Sequence, residues 1–183
     1  MRASGQTRAQ IVDIARELIQ ARSYLGFSFQ DIADRVGLRK ASLYHHFPSK
    51  ESLGVAVLQQ ASQQFEAWFD KAAKTPQEKL DAYFRIYRDV LGAGSQVCPV
   101  GAVAAGWDCM DEALRDAGRQ LRQVQVDSLA EVLMALGLPA QQAQDKAAYI
   151  FTVCQGAMLT ARMRGDATDF DATVAELRGS LPR

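Results

Sequence analysis

The stretch from Phe27 to Leu53 constrains the fold of this 183-residue chain more than any other part of it. It reads FSFQDIADRVGLRKASLYHHFPSKESL. Ser28 is placed to cap a helix, and Asp31 follows three residues later as the acidic partner of a capping box. Gly37 can adopt the left-handed conformation that ends such a helix. The stretch therefore predicts a short helix, a glycine turn and a second helix.

The second short helix is expected to span about residues 39–47. Ala41 and Leu43 can face the core of the unit, whereas basic, hydroxyl and aromatic side chains occupy the other positions. Pro48 then breaks the chain, and Ser49 is placed to cap the next helix. Two short helices joined by a glycine turn, the second of them basic and aromatic, are typical of a helix-turn-helix unit that reads DNA.

The run DIADRVGLRKASLYHHFPSKESL resembles the DNA-binding signature of TetR-type (TetR/AcrR) transcriptional regulators. That signature has Ile-Ala in the first helix of the motif, a Gly-hydrophobic turn and then Leu-Tyr-x-His-Phe-x-x-Lys-Glu, and each part is present. Arg39 departs from it, because the family often has a Ser or Thr cap there. The resemblance implies an all-α fold, in which an N-terminal three-helix DNA-binding head precedes a C-terminal helical-bundle body that binds ligand and dimerises.

The charge distribution divides the chain in a compatible way. Residues 1–53 contain eight Lys or Arg against five Asp or Glu, whereas residues 54–183 contain thirteen against sixteen. A basic head on an acidic body fits a DNA-binding unit attached to a different one. We predict a helix-turn-helix domain at 1–53 and a ligand-binding and dimerisation domain at 54–183. A helix from Lys50 to about Ala73 is the candidate lever between them.

The residues expected to read bases lie near the N-terminus of the second motif helix, which would enter the major groove. Arg39, Lys40 and Ser42 can reach base edges from there. Arg and Lys pair best with guanine O6 and N7, which gives these positions a role in specificity. The alternative is that the two cations only form part of a solvated face.

A second set of residues is expected to bind the phosphates of the DNA backbone. Tyr44, His45 and Lys50 take this role by the resemblance, and hydroxyl, imidazole and ammonium groups are suitable donors for it. Lys50 too has the alternative of a solvated surface position. Further contacts to the DNA backbone are expected from Thr7, Ser28 and Gln30.

Aromatic and apolar residues of the body helices suggest a ligand cavity. Most aromatic stripes are simply core, which is the alternative here. The small residues at 101–106 and the resemblance favour a pocket, and an apolar ligand would suit it. The predicted lining consists of Tyr83, Phe84, Tyr87, Cys98, Trp107, Met110, Leu133, Tyr149 and Val153.

Small residues in the last long helix suggest a subunit interface. Cys154, Ala157 and Ala161 recur at near-helical spacing and would let a partner helix approach closely. Packing within one subunit is the alternative. Dimerisation has a separate argument, because one small head contacts few base pairs and a two-fold partner supplies a second half-site.

Several kinds of site are disfavoured by the sequence. Three cysteines without a CxxC pattern argue against a disulfide framework or a zinc site. His45 and His46 diverge by about 100° on a helix and have no third ligand nearby, so no metal is expected. No cofactor is expected either. No apolar run approaches the roughly 18 residues that span a membrane, and the N-terminus lacks an apolar signal segment, so a cytoplasmic protein is expected.

The sequence therefore predicts a ligand-responsive regulator that binds a double-stranded, palindromic operator as a homodimer and is released by a small apolar inducer. A repressor follows from the resemblance, although an activator would have the same features. One competitor is a redox-sensing regulator on the same scaffold that uses Cys98. Another is a small-molecule carrier or enzyme with a vestigial head. No catalytic residue is assigned, because both histidines lie in the head and the body has no visible pair of nucleophile and base.

Overall fold

The structure, a computed structural model, describes residues 4–71 and 74–181. All regular secondary structure within these ranges is helical, which confirms the all-α prediction. Short 3-10 turns occur at Tyr24–Gly26 and Trp107–Cys109. The α-helices are α1 (Ser4–Arg22), α2 (Phe29–Val36), α3 (Lys40–Tyr44), α4 (Lys50–Lys71), α5 (Pro76–Leu91), α6 (Pro99–Ala104), α7 (Glu112–Ala135), α8 (Ala140–Arg164) and α9 (Thr168–Gly179).

The described residues form two compact units. One comprises the residues up to Ala61 together with Pro99–Leu121, and the other comprises Ser62–Cys98 together with the residues from Arg122 onward. Helices α4 and α7 therefore contribute residues to both units. These contact-based units do not correspond to the predicted functional domains, and the boundary between residues 53 and 54 stays a prediction. The lever helix begins at Lys50 as predicted, whereas its expected end at Ala73 lies outside the described residues.

Helices α1, α2 and α3 pack together in the first unit, as expected for a three-helix head. Ile11, Ala15 and Ile19 are fully buried along one side of α1. These residues lie in the core with the buried apolar side of α2, and α3 adds Leu43, which is also buried. Ala41 is exposed, so its expected place in the core was wrong: it lies two residues before the buried Leu43, and residues two apart on a helix point about 200° away from each other.

The ends of α2 follow the predicted capping chemistry. The Ser28 hydroxyl accepts a hydrogen bond from the Asp31 amide at 3.4 Å, and the Asp31 carboxylate accepts one from the Ser28 amide at 2.7 Å. At the other end Gly37 has a φ of 74°, and the amides of Gly37 and Leu38 both donate to the Ala33 carbonyl. This left-handed residue turns the chain toward α3, so the motif has the predicted shape.

The second motif helix is shorter than expected. Helix α3 ends at Tyr44 rather than near Phe47, and the amides of His46 and Phe47 both donate to the Leu43 carbonyl. This shared acceptor forms a tight turn instead of a further helical turn. Ser49 then caps α4 as predicted, because its hydroxyl accepts a hydrogen bond from the Ser52 amide at 3.1 Å.

The segment Pro99–Leu121 lies beyond the predicted head in sequence and packs within the first unit. Helix α6 lies against α1, and Ala102 and Val103 of this helix are buried. Leu114 of α7 and Tyr24 both pack on Gly54 of α4, where an added Cβ would approach Leu114 Cδ1 to 2.9 Å and Tyr24 Cε2 to 3.1 Å. The first turn of α7 is thereby held close to the start of α4.

In the second unit, α5, α8 and α9 pack around buried aromatic residues. Thr75 caps helix α5, Pro76 is the first residue of that helix, and Glu78 completes a capping box. Two ion pairs join α5 to α9, one between Arg88 and Asp171 and the other between Arg178 and Asp81. None of the described helices combines the length and apolar character needed to cross a bilayer.

Candidate nucleic-acid interface

Two cations stand exposed at the start of α3. Arg39 is the N-cap residue, and its side chain makes no capping hydrogen bond, so it is available for other contacts. Lys40 is exposed beside it, and neither side chain forms an ion pair among the described residues. Other arginines of the head differ: Arg22 lies 3.4 Å from Asp31, and Arg35 lies 3.3 Å from Glu17. Arg8 of α1 also has no ion pair among the described residues, and its guanidinium lies 4.5 Å from the Phe47 ring centroid. Helix α3 and its cap therefore carry two of the uncompensated positive charges of the head.

Polar and aromatic groups continue this surface along α3. Ser42 is half-buried, and His45 is exposed immediately after the helix. The Tyr44 side chain is 51% exposed and rests on the Phe29 ring, with the two ring centroids 5.1 Å apart. This contact limits the freedom of the Tyr44 ring while leaving much of it accessible.

The residues predicted at the start of α2 already make local hydrogen bonds. The Ser28 hydroxyl donates to Asp31 Oδ2 at 2.7 Å, and the Gln30 side-chain amide donates to Asp34 Oδ1 at 2.7 Å. Hydrogen bonds from the Ser28 hydroxyl and from its amide lower the pKa of the Asp31 carboxyl. Ser28 and Gln30 are exposed, and Thr7 is half-buried in α1.

Lys50 occupies a different environment from the other predicted DNA ligands. Its ammonium donates to the Phe27 carbonyl oxygen at 2.6 Å and lies 4.4 Å from the Phe27 ring centroid and 4.7 Å from that of Tyr24. Burial lowers its pKa, while the charges of Glu51 and Asp31 act in the opposite direction. The ammonium is thus directed at groups of the protein.

The predicted pocket residues are only partly brought together. Tyr83, Phe84, Tyr87, Cys98 and Leu133 are buried in the second unit. Trp107 and Met110 belong to the first unit. Tyr149 is 54% exposed, with the Lys146 ammonium 5.5 Å from its ring centroid, and Val153 is half-buried. The Tyr83 ring centroid lies 6.1 Å from that of Phe84 and 5.3 Å from that of Tyr87, so these three residues form one buried group.

A chain of buried polar groups runs through that group. The hydroxyls of Tyr83 and Tyr87 are 3.2 Å apart, and the Tyr87 hydroxyl donates to Gln125 Oε1 at 3.1 Å. The Gln125 amide nitrogen lies 3.9 Å from the Cys98 sulfur. Burial raises the pKa of both tyrosines well above the ordinary value, which keeps their hydroxyls protonated. Gln125 was not among the predicted site residues. Its only sequence signal is that it is a polar residue on the apolar stripe of α7, between Leu121 and Leu129.

A cavity of about 290 Å³ lies elsewhere in the second unit, near the end of α4, the start of α5 and the last turns of α7. Its lining includes the charged side chains of Asp70, Lys74, Lys79 and Glu131, and none of the predicted pocket residues. Ligand sites for apolar molecules are mostly lined by apolar side chains, so this cavity has the wrong character for the predicted inducer.

The cysteines differ in exposure. Cys98 and Cys154 are buried, and Cys109 is exposed. Burial raises the pKa of the Cys154 thiol to about 12, so this thiol stays protonated and unreactive near neutral pH. Across residues 4–71 and 74–181, no three His, Cys, Asp or Glu side chains are grouped so that they could hold a metal ion.

Helix α8 buries the small residues that were predicted to meet a partner subunit. Cys154, Ala157 and Ala161 are at most 6% exposed in the isolated chain, so they pack within it, as the alternative in the sequence analysis stated. The opposite side of α8 exposes large apolar side chains instead, with Leu159 at 47% and Met163 at 80%. Sequence reasoning missed this exposed side.

Family models match both parts of the chain. The model described as bacterial regulatory proteins of the tetR family matches residues 11–57. The model described as the C-terminal domain of LmrA/YxaF-like transcriptional regulators matches residues 76–176. The first range contains α2 and α3 together with the loop to α4.

The chain is also similar to curated regulators. An uncharacterized HTH-type transcriptional regulator of Mycobacterium tuberculosis is 29% identical over 95% of this chain and 93% of its own length. The HTH-type transcriptional repressor KstR2 of Rhodococcus jostii is 42% identical over 48% of this chain and 34% of its own length. The HTH-type transcriptional activator FasR of Mycolicibacterium smegmatis is 32% identical over 50% of this chain and 43% of its own length.

Solved structures share the whole fold. A TetR transcriptional regulator from Legionella pneumophila superimposes with a TM-score of 0.90 at 26% identity, over 99% of this chain and 100% of that one. A TetR-family regulator from Agrobacterium tumefaciens gives a TM-score of 0.87 at 29% identity, over 98% and 99% of the two chains.

Proposed function

Because the chain belongs to the TetR family of bacterial transcriptional regulators, we propose that it is a repressor that binds a palindromic operator as a homodimer and releases it when a small molecule binds the body. The observation that carries the DNA-binding part is the exposed pair Arg39 and Lys40 at the start of α3, without ion-pair partners in the described part of the chain. Cations placed in this way are available to bases and phosphates.

The base-reading role falls to Arg39, Lys40 and Ser42. Helix α3 is the second helix of the motif, and in helix-turn-helix proteins this helix lies in the major groove with its first residues at the base edges. Arg or Lys there can donate to guanine O6 and N7, and a Ser hydroxyl can donate to or accept from several bases. We therefore expect these three side chains to set the sequence preference of each half-site.

The orientation of the head on DNA falls to polar groups around α3. Tyr44 and His45 are exposed next to the base-reading residues, and their hydroxyl and imidazole groups can donate to phosphate oxygens. Ser28, Gln30 and Thr7 supply further polar groups from α2 and α1. Contacts of this kind hold the register of the protein without reading sequence.

The exposed side of α8 is the surface that we assign to the second subunit. Tyr149, Leu159 and Met163 are exposed there, and Gly156 lies between them at helical spacing. A row of exposed apolar side chains on one helix side is unfavourable in water unless another surface covers it. We expect a second copy of this chain to cover this side of α8, because a two-fold symmetric operator has two half-sites and each head reads one of them.

The ligand site is assigned to the buried group of Tyr83, Phe84 and Tyr87 in the second unit. An apolar molecule that enters there can release the head only if it binds the two states of the dimer with different affinity. The burial of Cys98 and the raised pKa of Cys154 weigh against the redox alternative. A repressor is preferred to an activator because of the family resemblance. Its action on chromosomal DNA implies a cytoplasmic location.

The experiment is selection of genomic fragments by the purified protein at physiological salt, followed by footprinting on the best fragment. The expected result is a site with two-fold symmetry, bound at least a thousandfold more tightly than competitor DNA. A reporter gene placed behind that site should be expressed less when the protein is present. The absence of any fragment above background, with and without a library of apolar metabolites, would contradict the proposal.

A further inference from the structure

Lys50 joins the two ends of the helix-turn-helix. Its ammonium nitrogen lies 2.6 Å from the Phe27 carbonyl oxygen, which accepts a hydrogen bond from it. Phe27 directly precedes the Ser28 cap of α2, and Lys50 is the first residue of α4. The hydrogen bond therefore connects the residues that flank α2 and α3, and it spans 23 positions of sequence.

The surroundings of the ammonium favour an internal role. The Phe27 and Tyr24 rings lie 4.4 and 4.7 Å away, and both are almost fully buried. Each ring attracts a cation placed over its face, and the attraction grows as water is removed. Lys50 is half-buried, and its ammonium faces one carbonyl and two rings of its own subunit.

We propose that Lys50 is a positioning residue that holds the start of α2 against the start of α4 and thereby sets how α3 presents Arg39, Lys40 and Tyr44 to DNA. It replaces the phosphate contact that the sequence suggested for this residue. The proposal rests on the proposed DNA-binding function, because its main consequence is measured on operator affinity.

The salt dependence of operator binding separates the two roles. Each phosphate that a cation neutralises contributes about 0.9 to the slope of log affinity against log salt. Lys50→Met keeps an unbranched apolar side chain at this position and removes the ammonium. We expect operator affinity to fall about tenfold or more while the slope stays that of the wild type. Lys40→Met is the matched control, since its exposed ammonium should displace counterions and the slope should fall.

Lys50→Arg provides a second test. A guanidinium binds phosphate at least as well as an ammonium, so this variant would keep wild-type affinity if Lys50 contacted the DNA. The planar guanidinium is wider than the ammonium and presents its donors in a fixed fork, so we expect it not to reproduce the 2.6 Å hydrogen bond to the Phe27 carbonyl oxygen. Operator affinity of Lys50→Arg should therefore remain low.

Thermal unfolding gives a readout that does not depend on DNA. The melting temperature of Lys50→Met should fall relative to that of Lys40→Met, because only Lys50 makes an internal contact. If Lys50→Met does not fold, the operator affinity of Lys50→Arg decides between the two roles. A slope lowered by about 0.9 in Lys50→Met, with wild-type affinity in Lys50→Arg and unchanged melting temperatures, would overturn it. A wild-type protein with no specific site would instead refute the proposed function, and the melting temperatures would still test the role of Lys50.

Discussion

The ring of Tyr44 in α3 packs against the ring of Phe29 at the start of α2, with centroids 5.1 Å apart and ring planes inclined by 52°. Phe29 is buried, whereas Tyr44 is half exposed, so a core residue supports a surface residue. Such an aromatic pair contributes about 0.5–1.5 kcal/mol beyond the area that it buries. The contact links the stability of the head to the placement of a proposed phosphate ligand.

Phe29→Leu should therefore weaken DNA binding as well as folding. The substitution keeps an apolar side chain but removes the ring under Tyr44, at a cost of about 1 kcal/mol in the free energy of unfolding. Phe65→Leu is the control, because Phe65 stacks on Phe69 in the second unit and its loss should lower stability similarly. Titration of operator DNA should give weaker binding for Phe29→Leu alone. Equal affinities for the two variants would argue against a supporting role for Phe29.

Tyr44→Phe and Lys40→Ala should differ in their effect on specificity. Tyr44→Phe removes a hydroxyl that we assign to a phosphate, so binding should weaken evenly across operator sequences. Lys40→Ala should relax the preference at one base position of each half-site, by about 1–3 kcal/mol if the lost contact is bidentate. Affinities for a set of single-base operator variants provide the measurement. Parallel profiles for the two proteins would mean that these roles are wrongly assigned.

Gly94 should tolerate substitution less well than Gly92. Both have positive φ angles, of 96° and 57°, but only Gly94 lies against another backbone segment. A Cβ at Gly94 would be 2.8 Å from the Asp166 Cα, whereas none of the described atoms lies within 4 Å of a Cβ at Gly92. Urea unfolding should show a loss of about 3 kcal/mol for Gly94→Ala and about 1 kcal/mol for Gly92→Ala. Similar losses would mean that the two backbone segments are not in close contact.

Acid should remove part of the stability that Asp31 provides. The folded pKa of Asp31 lies below its ordinary value of 3.8, chiefly because the Ser28 hydroxyl and amide bind the carboxylate. The carboxylate therefore stabilises the fold above the unfolded pKa, and this contribution disappears as the pH falls through the folded pKa. Asp31→Asn should be less stable than the wild type at pH 6, and the difference should shrink below about pH 4. Chemical unfolding across this pH range measures it.

Ser28→Ala supplies the control for the pH experiment. With the hydroxyl removed, the further change Asp31→Asn should have a smaller pH-dependent effect than it has in the wild type. A difference between wild type and Asp31→Asn that stays constant from pH 6 to pH 2 would mean that the capping carboxylate is not responsible.

The exposed side of α8 should control the oligomeric state. Leu159→Glu places a charge in the proposed interface, so the dimer should dissociate and operator affinity should fall. Met134→Glu is the matched control, because Met134 is a similarly exposed apolar residue on α7. Sedimentation equilibrium should give a monomer for the first variant and a dimer for the second. If both variants are dimers, the interface lies elsewhere. If the wild type is a monomer, the proposed dimer is excluded.

Local features of the fold could be predicted from the sequence because they depend on residues close together in the chain. The Ser28–Asp31 capping box, the turn at Gly37 and the Ser49 cap each satisfy backbone groups within five residues. Chemistry of this kind is similar in any tertiary context. The base-reading positions Arg39 and Lys40 follow from the same local motif and stay predictions about DNA.

Contacts between distant residues could not be predicted in this way. The phosphate role suggested for Lys50 takes no account of the Phe27 carbonyl, 23 residues away, to which its ammonium is bound. Cys154, Ala157 and Ala161 have the spacing of a packing surface whether the neighbouring helix belongs to the same chain or to another one. The packing of α6 against α1 could not be predicted from the spacing of apolar residues either, because a buried helix has the same spacing whichever helix it packs against.

The central claim is that α3 reads DNA through Arg39 and Lys40, and a matched pair of double variants tests it most directly. Arg39→Ala with Lys40→Ala removes two positive charges from α3, and Lys71→Ala with Arg85→Ala removes two exposed ones from the second unit. Titration of the selected operator at physiological salt should show a loss of about a hundredfold or more for the first protein and less than about threefold for the second. Equal losses, or no loss in the first protein, would contradict the account.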